Sequence, residues 1–478
     1  MEIATEGTLT ALDLAERIGG TRSEDIRRTI ADLITSGALP PGTRLPTIRD
    51  VAAALDTSVG SVADAWTELR RLGLLDTRRR GGTTVSSRSA ETPDTAGLAL
   101  GDTGVGRSSD PDVAGAFLRR DRIDLGRASA DPAFLPDPTA FLVAAIDTTD
   151  DSGSDLITPA LRAAVVPGLS FTPQAVAAAP GMHAAMHLAY TALLRPGDVV
   201  AVEDPTCVRN LALLRAAGAR VVPIASDADG PLPESVAAAL EQGLTMLAFQ
   251  PVAAVPLGAS LTRRRRDELA ELIANAPAPP WILEEDPAGP LGGRHPGGGT
   301  TRGESLGAVL PDRVLRVVHL ARAFGPLLQT AVLAGGSTAV HAVAEVQRLE
   351  GARPNPLLQD ALAALMRDAS ADALIIAAAE TYARRNRALL DALAARGISA
   401  QGAGGFFAWV PVADERDALL RLAEHGVSAS PGSRSTFGDL APHIRVATTR
   451  LPDDPQRIAE LADAVAAAAA HTLATEDE

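Results

Sequence analysis

Near the front of the chain, apolar residues recur at helical spacing in two short blocks. Val51, Ala54 and Leu55 share one face of the first block; Val62, Ala65, Trp66 and Leu69 share one face of the second. Pro46 suits the first turn of the first helix, where its missing N–H would go unpaired anyway. Asp56-Thr57-Ser58 interrupts the pattern, and Ser58 is placed to cap the next helix by accepting from its backbone N–H groups. Two short helices joined by a tight turn make a helix-turn-helix. The stretch Leu74–Val85 then reads strand, glycine turn, strand, which is a wing. Upstream, Leu9, Leu12, Leu14, Ala15 and Ile18 predict a short amphipathic helix packed on this module. Ser23 is placed to cap a further helix with Ile26, Ile30, Leu33 and Ile34 inward.

Beyond Ile123 the pattern changes. Short apolar runs at 199–202, 221–224, 246–249, 282–283 and 314–318 alternate with helical segments at 182–195, 207–218, 233–242 and 262–274. Strands alternating with helices predict a mostly parallel sheet covered on both faces. A long helical stretch over about 338–397 precedes a strand at 405–410, a helix at 414–425, a strand at 444–447 and a last alanine-rich helix. The division expected is therefore an N-terminal helical extension at 1–22, a winged helix-turn-helix at 23–87, a linker rich in Ser, Thr, Asp and Gly at 88–122, and a large α/β body with a small α+β subdomain at 123–478.

Charge sharpens this division. The chain of 478 residues carries a net charge of −15, which argues against general polyanion binding. Residues 23–88 hold ten arginines against eight acids, so a mildly basic module sits on an acidic body. One cysteine, Cys207, allows no intrachain disulfide and fits a reducing cytoplasm. No signal-peptide pattern and no membrane-spanning run are visible. All 44 basic residues are arginine; the sequence has no lysine.

Three arginines at the tip of a hairpin suit phosphate contact, and a second helix of this kind suits the major groove of DNA. The stretch Arg22–Val85, with Gly37, Gly42, Leu45-Pro46, Arg49, Ser58, Gly73 and Gly82, resembles the GntR family of bacterial regulators. The resemblance implies that Arg44, Thr47, Arg49, Ser58, Ser61, Arg78, Arg79, Arg80 and Gly82 meet double-stranded DNA. Val59 and Ala63 stand where the family often carries arginines, so the usual base contacts are not all expected.

The order of pieces in the body is similar to the fold-type I aminotransferases. Gly181-Met182-His183, Pro196-Gly197-Asp198, Glu203-Asp204-Pro205, Gln250-Pro251, Pro256-Leu257-Gly258, Glu284-Glu285-Asp286-Pro287 and the run His319–Pro326 carry the likeness. Joined to a GntR-like head, this is the layout of the MocR-like regulators. In that family pyridoxal phosphate is held as an imine to a lysine, and the resemblance places Arg322 at that position. A guanidinium stays protonated and cannot serve there. The resemblance likewise sets Cys207 in place of the ring-stacking tyrosine, Val255 in place of an asparagine, Glu285 (with Asp286 beside it) in place of the aspartate for the pyridinium nitrogen, Pro287 in place of a tyrosine, and Gln329 in place of a phosphate-binding arginine. Arg445 is retained, where the family binds a substrate carboxylate; a structural ion pair is the other reading. The expectation is thus a degenerate pocket of Gly181, Met182, His183, Cys207, Val255, Glu285, Arg322, Gln329 and Arg445, with no covalent cofactor and no catalysis.

That body is expected to dimerise, and to sense a small carboxylate or other anion or serve as a platform only. A tethered transaminase and a regulator binding the vitamer non-covalently at the Gly181 helix start are the alternatives. His183 and His187 have the i, i+4 spacing of metal ligands but no third ligand, so a packed face is expected. Arg263–Arg266, after Thr262, is expected to be a solvated helix face. Ser129, Ser170 and Ser433 lack a nucleophile-elbow context.

Overall fold

The computed structural model describes residues 10–85, apart from 16, 19, 21–22, 36–38, 40–41, 72–74 and 79–81, and residues 123–470, apart from 150–154, 293–302, 403 and 438–439. The chain divides into two compact units, Met1–Thr95 and Ala96–Glu478.

The first unit holds α1 (Ala11–Ala15), α2 (Ser23–Thr35), α3 (Ile48–Ala54), α4 (Val59–Arg71), β1 (Leu75–Arg78) and β2 (Gly82–Val85). Its core gathers Leu14, Ile18, Ile26, Ile30, Val51, Val62, Trp66 and Leu69, with Leu75 and Val85 from the hairpin. Leu12 points outward, 68% exposed, so the apolar face of α1 is narrower than the sequence suggested. Ser23 is the first residue of α2 rather than its cap. Pro46 also lies outside its helix. Thr47 is the N-cap of α3: its hydroxyl accepts from the Asp50 N–H at 3.3 Å and donates to the Asp50 carboxylate at 2.7 Å. A side chain that both caps and is held from the third helical position beats a proline as the starting signal. Asp56 turns the chain between α3 and α4 at φ +50°, a conformation that aspartate tolerates better than most residues. β1 and β2 pair antiparallel from Leu75↔Val85 to Arg78↔Gly82. Residues 42–45 add a third rung, with Leu45 N–H donating to Thr83 O at 2.9 Å and Val85 N–H to Thr43 O at 2.9 Å.

The second unit continues with β3 (Ile123–Asp124), α5 (Thr139–Thr148), α6 (Pro159–Val165), β4 (Ala175–Ala179), α7 (Met182–Leu193), β5 (Val199–Glu203), α8 (Val208–Ala216), β6 (Arg220–Ile224), the small hairpin β7 (Ser226–Asp227) and β8 (Gly230–Pro231), α9 (Pro233–Glu241), β9 (Leu244–Phe249), α10 (Arg263–Ala274), β10 (Trp281–Asp286), β11 (Val314–His319), α11 (Ala321–Phe324) and β12 (Ala331–Gly335). Seven strands form one sheet in the order β4-β12-β11-β10-β9-β5-β6. Pairing is parallel from β11 through β6, whereas β12 runs antiparallel to both β11 and β4. Alternate residues feed opposite cores, as a period of two requires. Val200, Val202, Met246, Ala248, Leu283 and Val317 pack with α7. Val199, Ala201, Leu247, Phe249, Ile282 and Val314 pack with α9 and α10.

The long helical stretch holds three helices: α12 (Ser337–Leu349), α13 (Pro356–Leu365) and α14 (Ala369–Ala394). Gly351 at φ +66° ends the first, and the Asn355 and Asp368 side chains cap the other two. The small subdomain completes the unit with β13 (Phe407–Pro411), α15 (Glu415–Glu424), β14 (Val427–Ser428), β15 (Ser430–Pro431), β16 (His443–Ala447) and α16 (Pro455–Ala469). Its sheet has the order β13-β16-β15, while β14 pairs with β3. Among the described residues, no helix is long and apolar enough to cross a membrane.

Candidate functional site

Two surfaces carry the residues singled out above, one in each unit. In the head, Ser58 caps α4: its Oγ accepts from the Ser61 N–H at 3.0 Å and lies 2.9 Å from the Ser61 hydroxyl. Ser58, Val59, Gly60, Asp64, Thr67 and Arg70 are exposed, so one side of α4 is uncovered within this unit while Val62, Ala65, Trp66 and Leu69 fill its core. Arg44, Thr47 and Arg49 are exposed as well. The Arg44 side chain lies against Gly82, where an added Cβ would come within 3.1 Å of its Nε. Gly82 sits at φ +78°, so a side chain there would crowd Arg44 and strain the wing. Thr47 is engaged with Asp50, which makes it first a cap. Arg79 and Arg80, the Arg78 side chain, and the landmarks Gly37 and Gly73 lie outside the described residues.

The second surface gathers at the C-terminal ends of the parallel strands, where open α/β sheets bind ligands. Glu203 ends β5, Gln250 follows β9, Glu285 is next to last in β10 and His319 ends β11. Glu203 is buried and accepts from the Gln250 N–H at 2.8 Å and the Ser226 hydroxyl at 3.2 Å. The Gln250 amide donates to Glu285 at 3.2 Å, and its carbonyl accepts from the Val255 N–H at 2.8 Å. Val255 is thus fixed through its backbone. Burial pushes the carboxyl groups of Glu203 and Glu285 up to about 7; the Arg209 and Arg322 guanidinium groups pull Glu285 back only in part. Burial, with Arg322, His183 and Arg209 nearby, drives the His319 ring down to about 3, so it is neutral. Burial and the charge of Glu285 likewise raise the Cys207 thiol, against the pull of Arg209 and Arg445.

Strand alternation separates three acids that are consecutive in sequence. Glu285 turns toward Tyr190 and Cys207. Glu284 and Asp286 turn to the other face and take Arg316 at 3.4 and 2.8 Å. Asp286 also accepts from the Gly289 N–H at 2.8 Å. It therefore belongs to a buried structural network.

The two arginines of the pocket have aromatic seats. The Arg322 guanidinium carbon lies 4.7 Å from the centre of the Phe406 ring, and that of Arg445 lies 4.6 Å from the centre of Phe407. Arg445 also donates to the Ser430 hydroxyl at 3.5 Å. The backbone carrying both rings is pinned: Thr448 N–H donates to Phe406 O at 2.9 Å and the Asn386 amide to Phe407 O at 2.9 Å. Gly181, at φ +96°, is the N-cap of α7, and the Gln329 side chain lies beside it, 3.6 Å from where a Cβ would stand. Met182 is buried in the core, and His183 is exposed.

Residue reasoning missed Arg209, Glu203, Gln250, His319, Phe406 and Phe407 as members of this pocket. Four of them stand at strand ends, a position readable once the strands were predicted. Arg263–Arg266 is a solvated face only in part: Arg263 and Arg264 are exposed, whereas Arg265 and Arg266 turn inward. The Arg265 guanidinium is buried and donates to Asp227 at 2.8 Å and to the carbonyl oxygens of Gly230 and Pro231 at 2.9 Å, and Arg266 pairs with Glu304. Thr262 caps that helix. His187 meets Glu350 at 3.7 Å, and no cluster of metal-binding side chains occurs among the described residues. Ser170 accepts from Arg316, and Ser433 donates to Glu415.

Residues 22–85 match the family described as bacterial regulatory proteins, gntR family. The chain is 28% identical over 443 residues to the vitamin B6 salvage pathway transcriptional repressor PtsJ of Salmonella typhimurium, covering 91% of this chain and 96% of that one. It is 27% identical over 276 residues to the probable rhizopine catabolism regulatory protein MocR of Rhizobium meliloti, covering 53% and 54%. Among solved structures, aspartate aminotransferase from Thermus thermophilus with maleate superposes with a TM-score of 0.63 at 24% identity, over 75% of this chain and 95% of that one. That last likeness shows the fold.

Proposed function

We propose that the chain is a DNA-binding transcription regulator of the MocR-like GntR type, and that its aminotransferase-like body is a receptor and dimerisation platform without catalytic activity. The observation that carries the reading is Arg322. Pyridoxal phosphate does not fit the donor set around it. Imine formation needs an amine that can lose its proton, and this chain of arginines offers no lysine anywhere. The guanidinium at that point is seated on Phe406 and stays charged. Gln329, a neutral amide, stands at the α7 N-terminus.

In this reading the regulator works in the cytoplasm as a homodimer, and each head lays the exposed side of α4 in a major groove. Ser58, Ser61 and Arg49 approach bases and phosphates at the helix starts, Thr47 holds the first helix in position, and Arg44, Gly82 and Arg78–Arg80 bring the wing to the backbone. The pocket of Gly181, Met182, His183, Cys207, Val255, Glu285, Arg322, Gln329 and Arg445 binds a small anionic effector and shifts the order or spacing of the heads.

Footprinting on the DNA upstream of its own gene tests this. A protected repeat that is lost in Arg49→Ala is expected; no protection anywhere would overturn the proposal. Borohydride treatment of the purified protein with added pyridoxal phosphate should trap no adduct at the pocket, and a yellow adduct there that borohydride bleaches and fixes would restore the enzyme reading.

A further inference from the structure

We propose that the head reads its DNA site through thymine methyl groups, set against the exposed stripe of Val59, Gly60, Ala63 and Thr67 on α4. The inference rests on the DNA-binding reading above and names the base chemistry that the helix recognises.

At 3.6 residues per turn, Val59, Ala63 and Thr67 follow one another along a single side of α4, with Gly60 and Asp64 beside them. Val62, Ala65, Trp66 and Leu69 take the other side into the core. Val59 is 51% exposed; Gly60, Asp64 and Thr67 are exposed and Ala63 is half-buried. The stripe therefore carries the methyl groups of a valine, an alanine and a threonine.

What the stripe lacks decides what it can read. In the major groove guanine is gripped by the paired donors of arginine or lysine, and adenine by the amide of asparagine or glutamine. From Ser58 to Leu69 the chain holds none of these residue types. The first to appear is Arg70, about 16 Å further along the helix axis than Val59. It is bound back on its own helix, donating to Trp66 O at 3.3 Å and to the Thr67 hydroxyl at 2.9 Å. The Ser58 and Ser61 hydroxyls are engaged with the cap and with each other. The Asp64 carboxylate only accepts, so it suits an exocyclic amine and repels phosphate. An apolar stripe distinguishes one feature of the base edges, the C5 methyl that thymine has and cytosine lacks.

Gly60 points the same way. A Cβ built there would meet only the Ser58 hydroxyl oxygen, at 3.6 Å, an ordinary contact. The fold of the head thus makes no use of a glycine inside this helix, where glycine costs stability relative to alanine. Its effect is outward: the helix backbone can lie close to the base edges. Valine and alanine are short, and only such an approach brings them into contact with a methyl group. The exposed Arg44 and Arg49 add phosphate contacts that are indifferent to sequence.

The test lets the full chain select its site from a pool of random duplexes. Each thymine of the selected site is then replaced singly by deoxyuridine, which keeps the base pair and removes only the C5 methyl. At one or more positions in each half-site the replacement should raise Kd about 4-fold, the share of one buried methyl. In Val59→Ala the thymine site should bind more weakly, and one of those positions should lose its deoxyuridine effect. That pairing of base and side chain separates contact from a change in DNA shape. Gly60→Ala should slow hydrogen exchange along α4 in the free chain yet weaken the selected site about 10-fold, opposite signs that a merely structural glycine would not give. A site fixed by guanines in which every thymine accepts deoxyuridine at no cost would overturn the inference and leave DNA binding standing. So would a deoxyuridine loss that persists unchanged in both Val59→Ala and Ala63→Gly, or a Gly60→Ala chain that binds as tightly as wild type. Failure to select any site would overturn the DNA-binding reading itself, and this inference with it.

Discussion

Replacing Glu285 by glutamine should stabilise the body, and the gain should depend on pH in one direction. The carboxyl is buried, and burial is the main reason its proton is held until about pH 7 instead of 4.5. A group whose folded value is raised binds more protons in the native state than in the unfolded state between those two pH values. Stability from this group is present below about pH 4.5 and is lost as pH rises through about 7. At about 1.4 kcal/mol for each tenfold change in proton affinity, the loss has a ceiling of about 3 kcal/mol by pH 8. Coupling to Glu203, also raised to about 7, brings the working value to about 1–3 kcal/mol. Glutamine keeps an acceptor for the Gln250 amide and removes the desolvated charge. With about 2.1 cal/mol/K of unfolding entropy per residue, such a gain raises Tm by a few degrees in a unit of this size. Calorimetry of wild type and Glu285→Gln at pH 5 and pH 8 measures it. The variant should melt higher at pH 8 and nearly together with wild type at pH 5. A pH-independent difference, or a variant less stable at pH 8, would refute the desolvation argument.

Thr47→Ala should cost the head about 1 kcal/mol by removing the cap of α3, with Thr47→Ser restoring most of it. Hydrogen exchange at the Asp50 amide, several-fold faster in the alanine variant, is the measurement; an unchanged rate would show that the cap is not holding the helix start. Arg265→Ala should cost about 2–4 kcal/mol in urea unfolding, because it strips two buried carbonyls and Asp227 of their donor. The neighbouring Arg264→Ala, from a side chain 70% exposed, should cost less than about 0.5 kcal/mol. Equal effects for the two would mean that burial does not distinguish them.

The helix-turn-helix was legible because a period of 3.6, a polar break and a glycine hairpin all agree there. The start of α3 was misplaced by two residues because proline's fixed φ was weighed above Thr47, whose reciprocal bonds with Asp50 settle it. Five strands of the sheet were legible as short apolar runs between helical segments. β4 (Ala-Val-Ala-Ala-Ala) and β12 (Ala-Val-Leu-Ala-Gly) were not, because alanine carries little strand preference and only burial between neighbours holds them extended. Gly335 in β12 shows how close that packing is, since an added Cβ would collide with the Val314 carbonyl. Arg265 was misread because four arginines in a row look solvated; only the small β7–β8 hairpin, invisible in the periodicity, supplies the carbonyls that bury one of them. The pocket was half legible. Arg322 and Arg445 came from position in the chain, whereas their aromatic seats depend on tertiary approaches, of β16 to β13 and, for Arg322, of α11 to the residue before β13.

That approach gives the body a built-in reporter. Arg322 belongs to the large sheet's side of the cleft and Phe406 to the small subdomain, so a guanidinium drawn toward an anion must either drag the ring or slide off it. Two residues past Phe407, on the same strand, the Trp409 indole lies parallel to the His443 imidazole at 5.0 Å. A shift of β13 against β16 would alter the quenching of one of three indoles in the chain, so intrinsic fluorescence reports on the packing of the strand that follows the Arg322 seat.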